Sequence, residues 1–365
     1  MGAAPFLWRA CPVSTASAAE SAALRPNAPT SGETDGPVQP VPSAPQALEE
    51  VLSLAGSVEA ELVSEGYAGT AARVRRLGPL LGEALDWAAE HEPERGLALA
   101  AGLWRYWATS GELLEGRQQL GWLLSLVPSP SPTRLQGLTS SSLLAALAGE
   151  TVDAAVAAQE AMPLARALDD ELRLAFLELI VGWGDEAQGN VRGASACLEG
   201  ALERFRTAQC PWGIATTLLG LGDIARLRGE ARARARYAEA LGLFEALRDA
   251  SGVSLSHLKL GLASLALGNT EEAGKLLRQA MQEGQGDASL VAAGLVGLCA
   301  LERLAGRPEA AARLLGQSHA ALDAPRATQR RVDRLLAERE EAELRRALGP
   351  RYEAEWRRGQ ETPER

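Results

Sequence analysis

The stretch LALGNTEEAGKLLRQAM, residues 265–281, reads as the end of one helix, a Gly-Asn turn and the start of a second, amphipathic helix. Much of the same pattern stands earlier as RLRGEARARARYAEAL, residues 226–241. With the glycine of each turn as a marker, the recurrence runs through Gly111, Gly149, Gly189, Gly229, Gly268 and Gly306, at spacings of 38, 40, 40, 39 and 38 residues. Even a chain with 37 glycines does not keep so regular a count by accident. Internal periods of this size mark stacked supersecondary units, each burying its apolar face only against its neighbours.

The positions around each marker carry the physical reason. Five residues after it stand Gly116, Ala154, Ala194, Ala273 and Ala311; nine after it, Leu120, Ala158, Leu198, Leu277 and Leu315; twelve after it, Leu123, Ala161, Ala201, Ala280 and Ser318. Steps of four and then three keep these on one helix face, where mostly small outer residues admit a neighbouring helix and the middle one fills the groove. Seven before the marker, Gly182, Gly222 and Gly261 give the first helix its own small contact point, with Ser142 and Cys299 in two other repeats. In the fourth repeat the matching residues are Ala233, Tyr237 and Ala240, one place early, which predicts a tightened turn after Gly229.

Hydrophobic residues make up 46% of the 365 but aromatics only 4%, and Ala and Leu far outnumber Val and Ile, a helix-forming balance. A net charge of −10, from 37 basic and 47 acidic side chains, argues against a surface built for a phosphate backbone. Cys11, Cys197, Cys210 and Cys299 are far apart and form no C-x-x-C pair, so they read as reduced thiols. No signal-peptide pattern opens the chain and no apolar run approaches the roughly 18 residues of a membrane span, so the expected location is the cytoplasm.

The small–large–small spacing after a Gly-Asp/Glu/Asn turn resembles the tetratricopeptide repeat over about residues 96–323. The period exceeds that family's usual ~34 residues, and the excess lies in the links ALRDASG (246–252) and QEGQGDA (282–288). Longer repeats with such links resemble the carboxy-terminal arms of bacterial signal-transduction ATPases and LuxR-type transcriptional regulators. ALDWAAEHEPERGLALAAGLWRYWATSGELLEGRQQL (84–120) is similar to the segment leading into such an arm, and AGRPEAAARLLGQSHAAL (305–322) and LGPRYEAEWRRGQ (348–360) to its end. Neither the nucleotide-binding domain nor the DNA-binding domain of those regulators is legible. GNTEEAGKLL fails as a phosphate loop because it would need Gly at Asn269 and Ser or Thr at Leu276. The resemblance therefore implies the arm alone: an all-α, right-handed superhelical solenoid of tetratricopeptide-like helix-turn-helix repeats.

The expected organisation is a disordered Pro/Ser/Ala-rich tail over 1–46 and a helical pair over 47–95 that leads into the array. Six repeats over 96–323 follow, then a charged capping helix and C-terminal tail over 324–365, the helix itself spanning about Thr328 to Ala347. The tail's PFLW (Pro5 to Trp8) reads as a fraying end rather than a docking motif. The tryptophans Trp87, Trp104, Trp107 and Trp122 crowd the first repeat and read as a core that anchors it. The arginines of ARLRGEARARARY read as a solvated, ion-paired face rather than a nucleic-acid surface. His91, His257 and His319 are scattered, so no catalytic or metal-ligating constellation is expected, and no cofactor.

Function then rests on surface. First-helix residues Arg105, Trp183, Glu186, Asp223 and Arg226 are expected to line the concave face and grip a peptide or helix of a partner protein. The chain would be a non-enzymatic scaffold or regulatory adaptor in bacterial signalling or transcription control. A separate nucleotide-binding ATPase or a transcription factor is the partner the resemblance implies, without direct nucleic-acid or membrane binding. The alternative is a small-molecule sensor arm of a split ATPase or regulator, with an inducer in the groove.

Overall fold

The computed structural model describes residues 44–64, 66–324 and 327–361, and among them every regular element is a helix. A leading group of α1 (Ala44–Ser53), α2 (Val58–Leu62) and α3 (Tyr67–His91) precedes six pairs. In the first pair the first helix is split at Leu103 into α4 (Pro93–Gly102) and α5 (Trp104–Ser110), followed by α6 (Leu113–Leu126). The next are α7 (Pro132–Leu147) with α8 (Thr151–Ala167), α9 (Glu171–Gln188) with α10 (Val191–Thr207), and α11 (Pro211–Leu227) with α12 (Arg232–Ala246). Then come α13 (Ala250–Ala266) with α14 (Thr270–Glu283) and α15 (Ala288–Leu304) with α16 (Pro308–Leu322). Finally α17 (Arg331–Leu348) and α18 (Arg351–Gln360) cover the last pair. The result is an all-α, right-handed superhelical solenoid. The expected tail lies outside the described residues as far as residue 43, together with PFLW and Cys11, and residues 44–46 already belong to α1.

Each marker glycine is in the left-handed region, with φ between 68° and 93°. In all six turns the N–H after the glycine reaches the carbonyl five residues back, as Asn190 does to Asp185 at 2.8 Å and Glu230 to Ala225 at 2.9 Å. That bond closes the first helix and turns the chain into the second, and a side chain at the glycine would strain it. A second row of left-handed residues, Asp169, Gln209, Arg248 and Gly286, joins successive pairs at spacings of 40, 39 and 38. Three of these are not glycine, so a glycine count passes over them. Four of the six first helices restart on side-chain caps: Ser131, Asp170, Asp249 and Asp287 each accept a main-chain N–H of the first turn.

The faces meet as the spacing requires. The residues five, nine and twelve after each marker are buried in every repeat, including Ala233, Tyr237 and Ala240 of the fourth. Small residues on the first helix sit under large ones on the second. A Cβ at Gly182 would lie 2.8 Å from Leu198 Cγ, one at Gly222 only 2.2 Å from Tyr237 Cε1, and one at Gly261 2.9 Å from Leu277 Cγ. The missing residue after Gly229 is absorbed as expected. Ala233 N–H bonds the carbonyl of Glu230, three residues back, where Ala194 and Ala273 span four to Asn190 and Asn269.

The chain end departs from the expectation of a tail. Residues Arg351–Gln360 form α18, which crosses α16 so closely that a Cβ at Gly316 would lie 2.0 Å from the Trp356 carbonyl oxygen, and one at Gly359 2.0 Å from that of Arg313. Two glycines facing opposite backbones permit the crossing.

Candidate functional site

The first helices line the inner face of the array, and the five expected residues stand on them at recurring places: Arg105, Trp183 and Asp223 six residues before their marker, Glu186 and Arg226 three before. They do not face an open groove. Arg105 is 1% exposed, Glu186 3%, Trp183 7% and Asp223 0%, and the Arg226 side chain 10%. The expectation of a free concave surface is corrected here: two segments of the chain itself lie over these residues.

The first covering segment is α2. Glu59 accepts from Arg173 Nη1 at 2.5 Å, Gln136 Nε2 at 2.8 Å and Trp104 Nε1 at 3.3 Å, and so ties three consecutive repeats together. Arg105 donates to the Leu62 carbonyl, lies 4.1 Å over the Tyr67 ring, and reaches Asp249 Oδ2 at 2.5 Å. Asp249 is the N-cap of α13, so the first repeat touches the fifth. Burial pushes the Arg105 pKa below its ordinary value, against the pull of Asp249.

The second covering segment is the link into α17. Thr328 N–H donates to Ser289 Oγ at 2.8 Å, and its methyl would stand 2.5 Å from a Cβ at Gly149. Arg331 lies against Gly189. Asp333 receives Arg226 Nη2 at 2.7 Å and Lys259 Nζ at 3.1 Å. Lys259 also stands 3.3 Å from Asp223 Oδ1, to which the Tyr237 hydroxyl donates at 2.8 Å. Arg330 Nη2 sits 3.5 Å from Glu186 Oε2 and 3.7 Å from Asp223 Oδ2.

The cluster balances three carboxylates, Glu186, Asp223 and Asp333, against three cations, Arg226, Lys259 and Arg330. For Asp333 burial opposes the charge, but Lys259, Arg226 and Arg330 outweigh it and bring the pKa to about 2. Burial likewise opposes the charge on Arg226, yet Asp333 leads the groups that hold its pKa above the ordinary arginine value. Burial first, with Asp223 beside it, drives the Tyr237 phenol well up. A third contact completes the row: Arg303, again three before its marker, forms a two-pronged pair with Glu340 of α17, Nε at 2.5 Å and Nη2 at 2.9 Å.

Sequence reading therefore found one side of this cluster and missed Lys259, Arg330, Asp333, Arg173 and Asp249. The repeat position three before the marker holds Ala108, Ala146 and Leu265 in three repeats and Glu186, Arg226 and Arg303 in the others, a signal that extends the named side to Arg303 but reaches none of the missed residues. A charge where neighbouring repeats keep an apolar residue marks a place that faces something polar.

The remaining motifs are placed plainly. Trp104 and Trp107 are buried, and Trp104 packs edge-on to Trp212 with centroids 4.9 Å apart, but Trp122 is 41% exposed on α6 and is not part of that core. Arg228 and Arg232 pair with Glu230, Arg234 with Glu272. His91 stacks on Trp87, His257 Nδ1 lies 2.7 Å from Glu283 Oε2, and His319 accepts from Trp356 Nε1 at 3.0 Å, three separate structural contacts. Cys197, Cys210 and Cys299 are unbridged. Among the described residues no group of His, Cys, Asp or Glu is placed to hold a metal ion, and no helix is long and apolar enough to cross a membrane.

No protein-family model matches the sequence, and no curated protein sequence does. Solved structures share the fold. The chain is similar to NprR in complex with its cognate peptide NprX, at 16% identity over 86% of this chain and 87% of that one, TM-score 0.54. It is similar to the Cut9–Hcn1 hetero-tetramer of the APC/C at 16% identity over 80% of this chain and 52% of that one, TM-score 0.52. The STAND protein with a tetratricopeptide repeat sensor from Pyrococcus horikoshii aligns at 14% identity over 76% of this chain and 47% of that one, TM-score 0.49. With the glycine turns and the small-under-large packing, the fold is that of a tetratricopeptide-like helical repeat protein.

Proposed function

We propose that this chain is a non-enzymatic adaptor that holds an extended segment of a partner protein on its inner face. One observation carries the reading: the chain's own residues 327–330 already lie there outside any helix, bonded to Ser289 through the main-chain N–H of Thr328 and to Glu186 and Asp223 through the charge of Arg330. A surface that accommodates one extended polar segment suits another. The similarly folded NprR, described with a cognate peptide, supports the same use of the fold. The role this implies is regulatory, in bacterial signalling or transcription control, with a nucleotide-binding ATPase or a transcription factor as the partner class.

The test uses the full chain with a photo-cross-linking residue at one position at a time, in lysate of the source cell. A protein joined through position 330 but not through exposed Trp122 on α6 supports the inner-face adaptor. A protein joined only through position 122 overturns it, and a small molecule recovered in place of any protein transfers the reading to a sensor.

A further inference from the structure

Among the five inner-face residues the buried atoms without a hydrogen bond are Nε of Arg105, Nε of Arg226, Nε1 of Trp183, Oε1 of Glu186 and Oδ2 of Asp223, and the last three lie around Arg330 and the facing turn of α11. These three form one row. Trp183 and Glu186 stand one turn apart on α9, and Asp223 stands on the adjacent α11 at the repeat position of Trp183. A Cβ at Gly220, one turn before Asp223, would lie 3.8 Å from the Trp183 nitrogen, which puts the indole N–H beside that turn of α11. Buried donors and acceptors are nearly always hydrogen-bonded, so a donor and two carboxylate oxygens that lack a hydrogen bond side by side point to a ligand.

Arg330 closes this row loosely. Its Nη2 is 3.5 Å from Glu186 and 3.7 Å from Asp223, within ion-pair range but beyond a charged hydrogen bond, and its side chain is 32% exposed. Asp333, three residues on, is instead held by the short contacts of Arg226 and Lys259, so the helix start is anchored apart from Arg330, whose contacts are the two longer ones. A guanidinium seated about 0.6–0.9 Å deeper would come within charged hydrogen-bond distance of both carboxylates and could bond them through its planar fork. The Trp183 N–H is left as a donor for an acceptor of the same ligand.

We infer that this notch is a specificity subsite that takes an arginine side chain of an extended partner peptide, in the place Arg330 holds until it swings out. The inference rests on the inner-face reading proposed above.

The probe is a fluorescent peptide of the chain's own sequence ATQRRVD, capped at both ends, beside the same peptide with both arginines replaced by neutral citrulline. Full-length Arg330→Ala binds the arginine peptide about tenfold more tightly than the wild type does, and about tenfold more tightly than it binds the citrulline peptide. Adding Glu186→Gln removes that preference. A cooperatively melting Arg330→Ala protein that binds both peptides alike, or neither, overturns the inference. Should Arg330→Ala not fold, Arg330→Lys keeps the charge but not the fork and is expected to show the same preference; its absence there also overturns it. A natural partner that cross-links at position 330 yet binds wild type and Glu186→Gln equally leaves the adaptor standing and removes the arginine subsite.

Discussion

Arg226 and Asp333 lie 2.7 Å apart although 107 residues separate them in the chain. Asp333 also receives Lys259, so this one carboxylate joins the fourth repeat, the fifth repeat and the closing helix. A buried pair of this kind stabilises little against an apolar substitute, but losing one partner leaves uncompensated charge.

Asp333→Ala is therefore expected to cost about 3–5 kcal/mol, because Arg226 and Lys259 remain buried without their shared acceptor. Asp333→Asn, which keeps an oxygen for Lys259, should cost less. Urea denaturation of the two variants beside the wild type checks the order, and equal losses would place the effect in packing rather than charge.

The same residue sets a pH dependence. Its carboxyl is lowered from an ordinary 3.8 to about 2 in the folded chain, so its contribution is present above about pH 4 and is lost as pH falls through 2. The shift corresponds to about 2 kcal/mol. Between pH 4 and pH 2 the wild type should lose more stability than Asp333→Asn by roughly that amount; parallel curves would deny the ion pairing.

Arg105 and Asp249 form a second long tie, 144 residues apart. Arg105→Met should cost about 3–5 kcal/mol alone, by stranding a buried carboxylate. Combined with Asp249→Asn, which retains an oxygen to cap α13, the loss should fall short of the sum by at least about 1 kcal/mol. A strictly additive double-mutant cycle would show that the two side chains do not interact.

Gly316→Ala places a methyl 2.0 Å from the Trp356 carbonyl oxygen, a backbone atom that cannot rotate away. The expected cost is about 1–3 kcal/mol, paid locally: amide exchange should accelerate through residues 351–360 and leave α9 and α11 unchanged. Uniform acceleration would mean that α18 is no separate unit.

Removing the chain after residue 323 should expose the apolar face made by Ala311, Ala312 and Leu315 and cause aggregation. A soluble fragment 1–323 with a cooperative melt would contradict the capping role of α17 and α18.

The array was legible because its signals are local. A glycine with φ of 83° at position 189 and a leucine nine residues later are consequences of one turn and one helix pair, repeated. Even the deletion after Gly229 could be read, since it shifts three residues together. The inner face was half legible: Glu186 and Asp223 announce themselves as charges on otherwise apolar helices, but their cover does not. Arg330 and Asp333 lie in TQRRVDRLLAEREEAELRRAL, where they look like any charge on a solvated cap. Only the curl of the superhelix brings that segment under α9 and α11. The helix α18 was missed because RYEAEWRRGQ buries only Tyr352 and Gly359 in full, too few for a periodic signal.

The two ties also bear on how the molecule comes apart. A stack whose units touch only their neighbours behaves as a one-dimensional chain of weak links, fraying from its ends and populating partly melted states. Here Arg105 reaches forward four repeats, and Asp333 reaches back to the fourth and fifth from beyond the sixth. Losing either end unit strands buried charge in the middle, so the ends are no longer the cheapest place to open, and the array is expected to unfold as one body rather than repeat by repeat.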